Sequence, residues 1–371
     1  MAKYQKPIAV LGAGNAGCCM AADLTLQGYK VNLYQPASFK DSFKKILDTG
    51  KIEFSGIKGK GTARLNKATL DIKEALEGVE LINLTIPAFA QDSFFKEIIP
   101  YLNNEHIVVL WAGNFGTLRL AKFLRELKCK SSPLIAEVNT MPYGTRLQGP
   151  GRVFLPIVAP YFLVSALPAT NTDKVFRVLK SIYPETRKGS DILSVAMDNP
   201  NPVIHPAGVL LNTGRVEYSK GNFGLYREGI TPSVGKVIKD IYMEVAGLAK
   251  VLGLEVLKYK KKDFETTSSI MGVAFQAPKG KNTQKVIAEK FPGPHSLHDR
   301  YVTEDVPCGL VPMSLMAKKF GVKTPLIDAI INIGSCVCGE NYWKTGRTLE
   351  TLGIEKMTKA QLVKFVKTGR K

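Results

Sequence analysis

Ile8-Ala9-Val10-Leu11 is an unbroken apolar run, and after a glycine-rich interruption Cys18 to Leu26 carries apolar residues at the spacing of a helix that Gly28 brings to an end. A second run, Lys30 to Tyr34, follows at once, so the chain opens with a predicted β-α-β unit. Val79 to Leu84 and His106 to Trp111 are apolar at nearly every position, the pattern of strands buried on both faces of a parallel sheet. Further strands are predicted at Pro133 to Val138, Arg152 to Ile157 and Tyr161 to Ala166, then a helix from Thr172 to Ile182. Beyond residue 190 the periodicity lengthens into helices at Val234 to Leu252, Thr324 to Cys336 and Lys359 to Lys367, separated by loops rich in Pro, Gly and Asn.

Between the first strand and its helix lies Gly12-Ala13-Gly14-Asn15-Ala16-Gly17. Glycines so spaced fit a dinucleotide-binding turn: Gly12 permits the tight turn, Gly14 lets the backbone approach a pyrophosphate, and Gly17 lets the helix pack closely on the strand. The pyrophosphate would rest on the N–H groups at the helix start, those of Asn15 and Ala16 among them. Glycine turns that bind nothing share this spacing, and it is the β-α-β context that favours a cofactor. The expected fold is therefore α/β plus all-α: a Rossmann doubly wound parallel sheet over residues 1–190, then a mainly helical domain over 191–371 for substrate and catalysis.

The second strand ends at Gln35, where a carboxylate would hold the ribose 2′-hydroxyl of NAD. With a neutral residue there and Ser38 and Lys40 close behind, nothing repels a 2′-phosphate, and the expectation is NAD(P)H with a lean to NADP. The opposing reading has Gln35 or Ser38 bonding the diol of NAD. Two later loops also lie at carboxyl ends of strands, where ligands bind. Thr85, Pro87 and Ala88 are placed on the adenosine side, and Asn114 and Phe115 beside the nicotinamide, with a plain turn role as the alternative for each.

A length of 371 residues and 45% apolar content allow two domains with proper cores. The formal charge of +19 invites a nucleic-acid reading, but it is spread along the chain, and its densest run, Lys258-Tyr259-Lys260-Lys261-Lys262, has no regular aromatic interleave. No nucleic-acid partner is expected. A general positive potential would instead draw in an anionic cofactor and carboxylate substrates. The six cysteines show no C-x-x-C pairing, against a zinc site or a disulfide framework, and no metal is expected. No apolar run reaches the roughly eighteen residues of a membrane span, and the expectations are a cytoplasmic protein, no membrane partner, and a homodimer.

Four histidines can be sorted by context. His106 reads as a turn residue beside Asn103-Asn104-Glu105, and His295 and His298 lie in a Pro/Gly loop. His205 stands apart, in Asn199-Pro200-Asn201-Pro202-Val203-Ile204-His205-Pro206 at the domain junction. A residue before proline is held extended while proline suits a first helical turn, so His205 is expected to cap a helix opening at Pro206. An imidazole suits proton delivery as hydride arrives, and a carboxylate on its other nitrogen would fix the tautomer. Thr303-Glu304-Asp305-Val306-Pro307 is the best source of that carboxylate, although spacing alone does not establish the pairing; a capping histidine without chemistry is the alternative.

These segments, with Pro87-Ala88-Phe89-Ala90, Pro142-Tyr143-Gly144-Thr145-Arg146, Glu228-Gly229-Ile230-Thr231-Pro232-Ser233 and Arg300-Tyr301-Val302-Thr303-Glu304-Asp305-Val306-Pro307, resemble the octopine/nopaline, or opine, dehydrogenases over nearly the whole chain. The N-x-x-x-x-x-H-P and R-Y-x-x-E-D-x-P segments are far more specific than the glycine motif. The resemblance implies NAD(P)H-dependent reductive condensation of an amino acid with a 2-oxo acid, pyruvate or a similar small one, to an N-(carboxyalkyl)amino acid. It implies His205 as catalytic histidine, Asp305 as its partner with Glu304 competing, and Arg300 as the holder of a substrate carboxylate, an ordinary surface ion pair being the alternative for Arg300. Tyr143 and Arg146 are matched to substrate or cofactor contact, and Tyr226, Tyr342 and Trp343 either line the amino-acid pocket or pack the core. Closure of the helical domain would bring His205 to face the reduced nicotinamide.

Two other readings stay open. One is a hydroxy-acid or sugar-acid dehydrogenase of the wider Rossmann-plus-helical group, in which a lysine serves as the acid. The other, resting on charge alone, is a non-catalytic cofactor-sensing or nucleic-acid-binding protein.

Overall fold

Strand β1 (Ile8–Leu11) is buried at every residue and pairs in parallel with β2 (Val31–Tyr34), as its continuous apolar run requires. The computed structural model of the chain describes residues 4–265 and 271–370. The chain divides into two units, Met1–Gly189 and Ser190–Lys371. In the first, β3 (Lys51–Gly56), β4 (Gly59–Arg64), β5 (Lys67–Thr69), β6 (Leu81–Leu84), β7 (Ile107–Trp111), β8 (Leu134–Val138), β9 (Tyr143–Leu147), β10 (Arg152–Val158), β11 (Phe162–Leu167) and β12 (Thr186–Lys188) complete two sheets. The larger runs β12-β11-β8-β7-β6-β1-β2-β5 and the smaller β4-β3-β10-β9. From β8 to β5 all neighbours are parallel.

The Rossmann expectation holds, with two additions. β11 runs antiparallel to β8, and β12 follows it, so the far edge of the sheet is reversed. The Arg152–Val158 strand belongs to the second sheet, where Arg152 registers with Glu53 in the β3–β4 hairpin. Such pairing between distant segments leaves no local periodicity to read. The polar positions inside the main sheet are satisfied: Asn83 on β6 donates to the Ala9 carbonyl at 3.2 Å and accepts from Trp111 Nε1 at 2.8 Å.

The second unit is helical. Its helices include Ile192–Met197, Asn201–Leu210, Pro232–Leu252, Pro325–Cys338 and Lys359–Thr368. Pro232–Leu252 shows why they begin and end where they do. Thr231 accepts the Val234 N–H at its start, Pro232 occupies the first turn, and Gly253 closes it at φ +68°. Among the described residues no helix is long and apolar enough to cross a membrane.

Candidate active site

The candidate cofactor group of the first unit is the glycine turn. Gly12 has φ +101°, and a Cβ there would meet Ile86 Cγ2 at 2.5 Å. A Cβ on Gly17 would lie 1.7 Å from the Gly12 carbonyl oxygen, so only glycine lets the helix Asn15–Leu26 sit this close to the strand end. A Cβ on Gly14 would meet nothing within 4 Å, so the space over that turn is open. No side chain caps this helix and its first turn holds no acidic residue, which leaves its leading N–H groups, including that of Ala16, to an anion. Asn15 does not cap it either: its Oδ1 accepts the Leu147 N–H at 2.7 Å. These residues fit a dinucleotide pyrophosphate.

Gln35 Oε1 accepts the Ala13 N–H at 2.7 Å, tying the end of β2 to the same turn and leaving the amide's donors as its unspent polarity. Thr85, expected on the adenosine side, is buried with its Oγ1 within 3.1 Å of the Leu11 carbonyl and 3.0 Å of the Gly12 carbonyl. It locks the turn in place. Pro87 leads into the short turn Ala88–Ala90, with Ala88 buried.

In the Asn114–Phe115 loop, the Phe115 side chain does not fit the expected nicotinamide contact. Ala112, Asn114 and Phe115 take φ of +52°, +52° and +66°, and Phe115 is fully buried. The cause is Glu137 on β8. Its buried carboxylate accepts the Phe115 N–H at 2.8 Å, the Thr117 N–H at 3.1 Å and the Thr117 hydroxyl, filling the N-terminus of the helix Gly116–Glu126. A completely covered ring offers no face to a nicotinamide.

The helical unit carries its own candidate group. Helix Asn201–Leu210 begins earlier than the prolines first indicate: Pro202 claims the first turn, Asn199 Oδ1 takes the Asn201 N–H at 3.0 Å, and Pro206 lies inside the helix. His205 is therefore a mid-helix residue rather than a cap. It is 3% exposed, with Nδ1 2.8 Å from Asp305 Oδ2 and Nε2 2.7 Å from the Tyr226 hydroxyl. Asp305 is the pairing carboxylate, and Glu304 points to Arg300 instead, at 3.8 Å. Burial, opposed by the Arg300 charge, pushes the Asp305 carboxyl up to about 8.

The R-Y-x-x-E-D spacing now has a mechanical meaning. Residues four apart on a helical turn share a face. Tyr301 and Asp305 form one such pair, and both reach His205, the Tyr301 ring lying 4.2 Å from the imidazole centroid at a 34° tilt. Arg300 and Glu304 form the neighbouring pair. Tyr226 comes from a π-helical turn, Leu225–Gly229, and Asp305 leads into another, Val306–Leu310, a geometry that recurs at functional sites.

The remaining candidates bond within their own units. Tyr143 is buried in the first unit, its hydroxyl donating to Asp23 Oδ2 at 2.7 Å, with Lys58 on the same carboxylate at 2.8 Å, an internal lock of helix to small sheet. Arg146 lies on β9, donating to the Thr145 carbonyl at 3.0 Å. Trp343 bonds Asn332 Oδ1 at 2.7 Å under the Lys318 ammonium, and Tyr342 is buried. Tyr226 on His205 is the contact that the sequence pattern did not reveal.

Both units of the chain match known proteins. Residues 188–338 match the NAD/NADP octopine/nopaline dehydrogenase alpha-helical domain, and residues 7–131 match the N-terminus of NAD-dependent glycerol-3-phosphate dehydrogenase. The chain is 33% identical to an opine dehydrogenase of Arthrobacter sp. (strain 1C), over 96% of this chain and 97% of that protein. It is 25% identical to a vitopine synthase of Allorhizobium ampelinum, over 94% of this chain and 95% of that one. An octopine dehydrogenase solved with NADH and L-arginine shares the fold at a TM-score of 0.69 and 17% identity, covering 98% of both chains. With 33% identity over nearly the whole chain and a match of its helical domain to the family model, the chain belongs to the opine dehydrogenase family, NAD(P)-dependent oxidoreductases acting on CH–NH donors.

Proposed function

We propose that this protein carries out NAD(P)H-dependent reductive condensation of an amino acid with a small 2-oxo acid of the pyruvate class, with His205 and Asp305 managing the protons. The observation that carries the reading is the buried 2.8 Å contact between His205 Nδ1 and Asp305 Oδ2. A carboxyl held on one ring nitrogen fixes the orientation of the imidazole while the other nitrogen handles the transferred proton. The relatives that support the substrate class include an octopine dehydrogenase solved with NADH and pyruvate.

Gly12, Gly14, Ala16 and Gly17 would hold the pyrophosphate, and the bound nicotinamide supplies hydride to the carbon of the substrate imine. Gln35, its oxygen spent on Ala13, presents amide donors rather than a carboxylate to the ribose, which favours NADP over NAD. Arg300 is assigned to the oxo-acid carboxylate. Its side chain is 55% exposed and only loosely paired with Glu304, so its planar fork is available to a ligand.

An assay of NADPH and NADH oxidation over a matrix of amino acids and 2-oxo acids tests the reading. Turnover is expected only when both substrates are present; oxidation with oxo acid alone points to a hydroxy-acid dehydrogenase. His205→Ala should lose turnover yet keep its affinity for the cofactor, and retained activity removes the residue from its role.

A further inference from the structure

An imidazole has two nitrogens, and both of those in His205 are engaged, one by Asp305 and the other by the Tyr226 hydroxyl. The π turn that carries this hydroxyl is held by construction. Gly208, one turn beyond His205, makes room for the neighbouring Leu225, whose Cδ1 would stand 2.5 Å from a Cβ there. Asn212 Nδ2 donates to the Gly208 carbonyl at 2.8 Å and to the Gly229 carbonyl at 2.9 Å, stapling the π turn to the helix that carries His205. Glu228 Oε1 accepts the Gly224 N–H at 2.9 Å and closes the turn on itself. A side chain that merely covered Nε2 until substrate arrived would not need a seat fixed at so many points.

We propose that Tyr226 is a catalytic residue, the group that exchanges protons with the substrate, and that His205 acts through it. This rests on the reductive condensation reading above.

The proton balance shows why a two-sided hydroxyl suits the task. The amino acid enters as an ammonium with three protons on nitrogen, and the iminium that forms keeps one, while the carbonyl oxygen leaves as water with two. Two protons must therefore pass from nitrogen to oxygen about one carbon. Tyr226 accepts the first from nitrogen while its own proton goes to His205 Nε2. The amine then attacks the carbonyl carbon, the C–N bond forms, and the carbonyl π electrons go to oxygen. His205 returns its proton through Tyr226 to that oxygen, making a hydroxyl. The relay takes the second proton from nitrogen in the same way and delivers it to the hydroxyl; the C–O bond breaks, water leaves, and the nitrogen lone pair completes C=N. Hydride then reaches the carbon, and the neutral secondary amine takes one proton from solvent.

Tyr226→Phe keeps the ring and removes the hydroxyl. In the holoenzyme with its best substrate pair, kcat should fall about a hundredfold or more, with both substrate KM values and the NADPH Kd from fluorescence quenching unchanged. In the cofactor-free protein, the His205 Nε2 nitrogen resonance should shift. A second variant carries difluorotyrosine at position 226 alone; its more acidic phenol should move the alkaline limb of the kcat profile to lower pH while activity persists. If Tyr226→Phe retains kcat to within about twofold, or gains activity, or if fluorination leaves the profile in place, the relay is overturned while the family reaction stands. Wild-type protein that turns over no amino acid and 2-oxo acid pair removes the reading itself, and the relay with it.

Discussion

Two helices of the first unit start alike and finish differently. Asn15–Leu26 leaves β1 through a glycine turn, and Gly116–Glu126 leaves β7 through a loop with its own glycine and three residues at positive φ. Each start has N–H groups that no carbonyl of its own helix can take, at the carboxyl edge of the sheet. The first has no side chain across its start, and open space stands over Gly14. The second has Glu137 beneath it, a resident carboxylate in the place an anionic ligand would take. A glycine-bearing loop after a parallel strand is therefore not itself a binding site; what decides is whether the protein has already supplied the negative charge.

Four substitutions separate these helix starts, in falling order of effect. Gly17→Val should prevent folding, because even a Cβ would stand 1.7 Å from a backbone oxygen; a stable variant that binds NADPH would mean the turn can move aside. Glu137→Ala should cost about 3 kcal/mol in urea melts, since it strands buried donors at the second helix, while the folded fraction binds NADPH as before. Unchanged stability would show that water or another group takes over. Gly14→Val should do the reverse. Its side chain fits the open space, so the melt is unchanged, but it displaces pyrophosphate from the N–H groups and raises the NADPH Kd by about 2 kcal/mol, some thirtyfold. Gln35→Asp should weaken NADPH and favour NADH by about 1 kcal/mol, the repulsion of like charges about 5 Å apart near water; an unaltered ratio of the two Kd values would place the 2′-phosphate elsewhere.

What the sequence disclosed follows from how local each feature is. The roles of Gly12 and Gly17 depend on backbone conformation and near neighbours, and the helix at Thr172–Ile182 has the predicted bounds because its apolar stripe is self-contained. The start of the His205 helix is ambiguous in sequence because two prolines four apart both suit a first turn, and the Asn199 contact belongs to the start at Pro202. The Phe115 conformation was hidden because its cause sits on another strand. Tyr226 was legible only as an aromatic residue, since a π turn carries no apolar period and the contact depends on Gly208 admitting Leu225. The four-residue step from Tyr301 to Asp305 was the one clue in plain view to how His205 is gripped.

That grip has a consequence for the identity of the two nitrogens. A half-turn of the ring about its bond to the helix would have to break the Asp305 and Tyr226 bonds together and turn the imidazole edge-on against the Tyr301 ring packed on its face. The ring therefore holds Nδ1 toward Asp305 and Nε2 toward Tyr226, and a turnover moves protons through a ring that itself stays put.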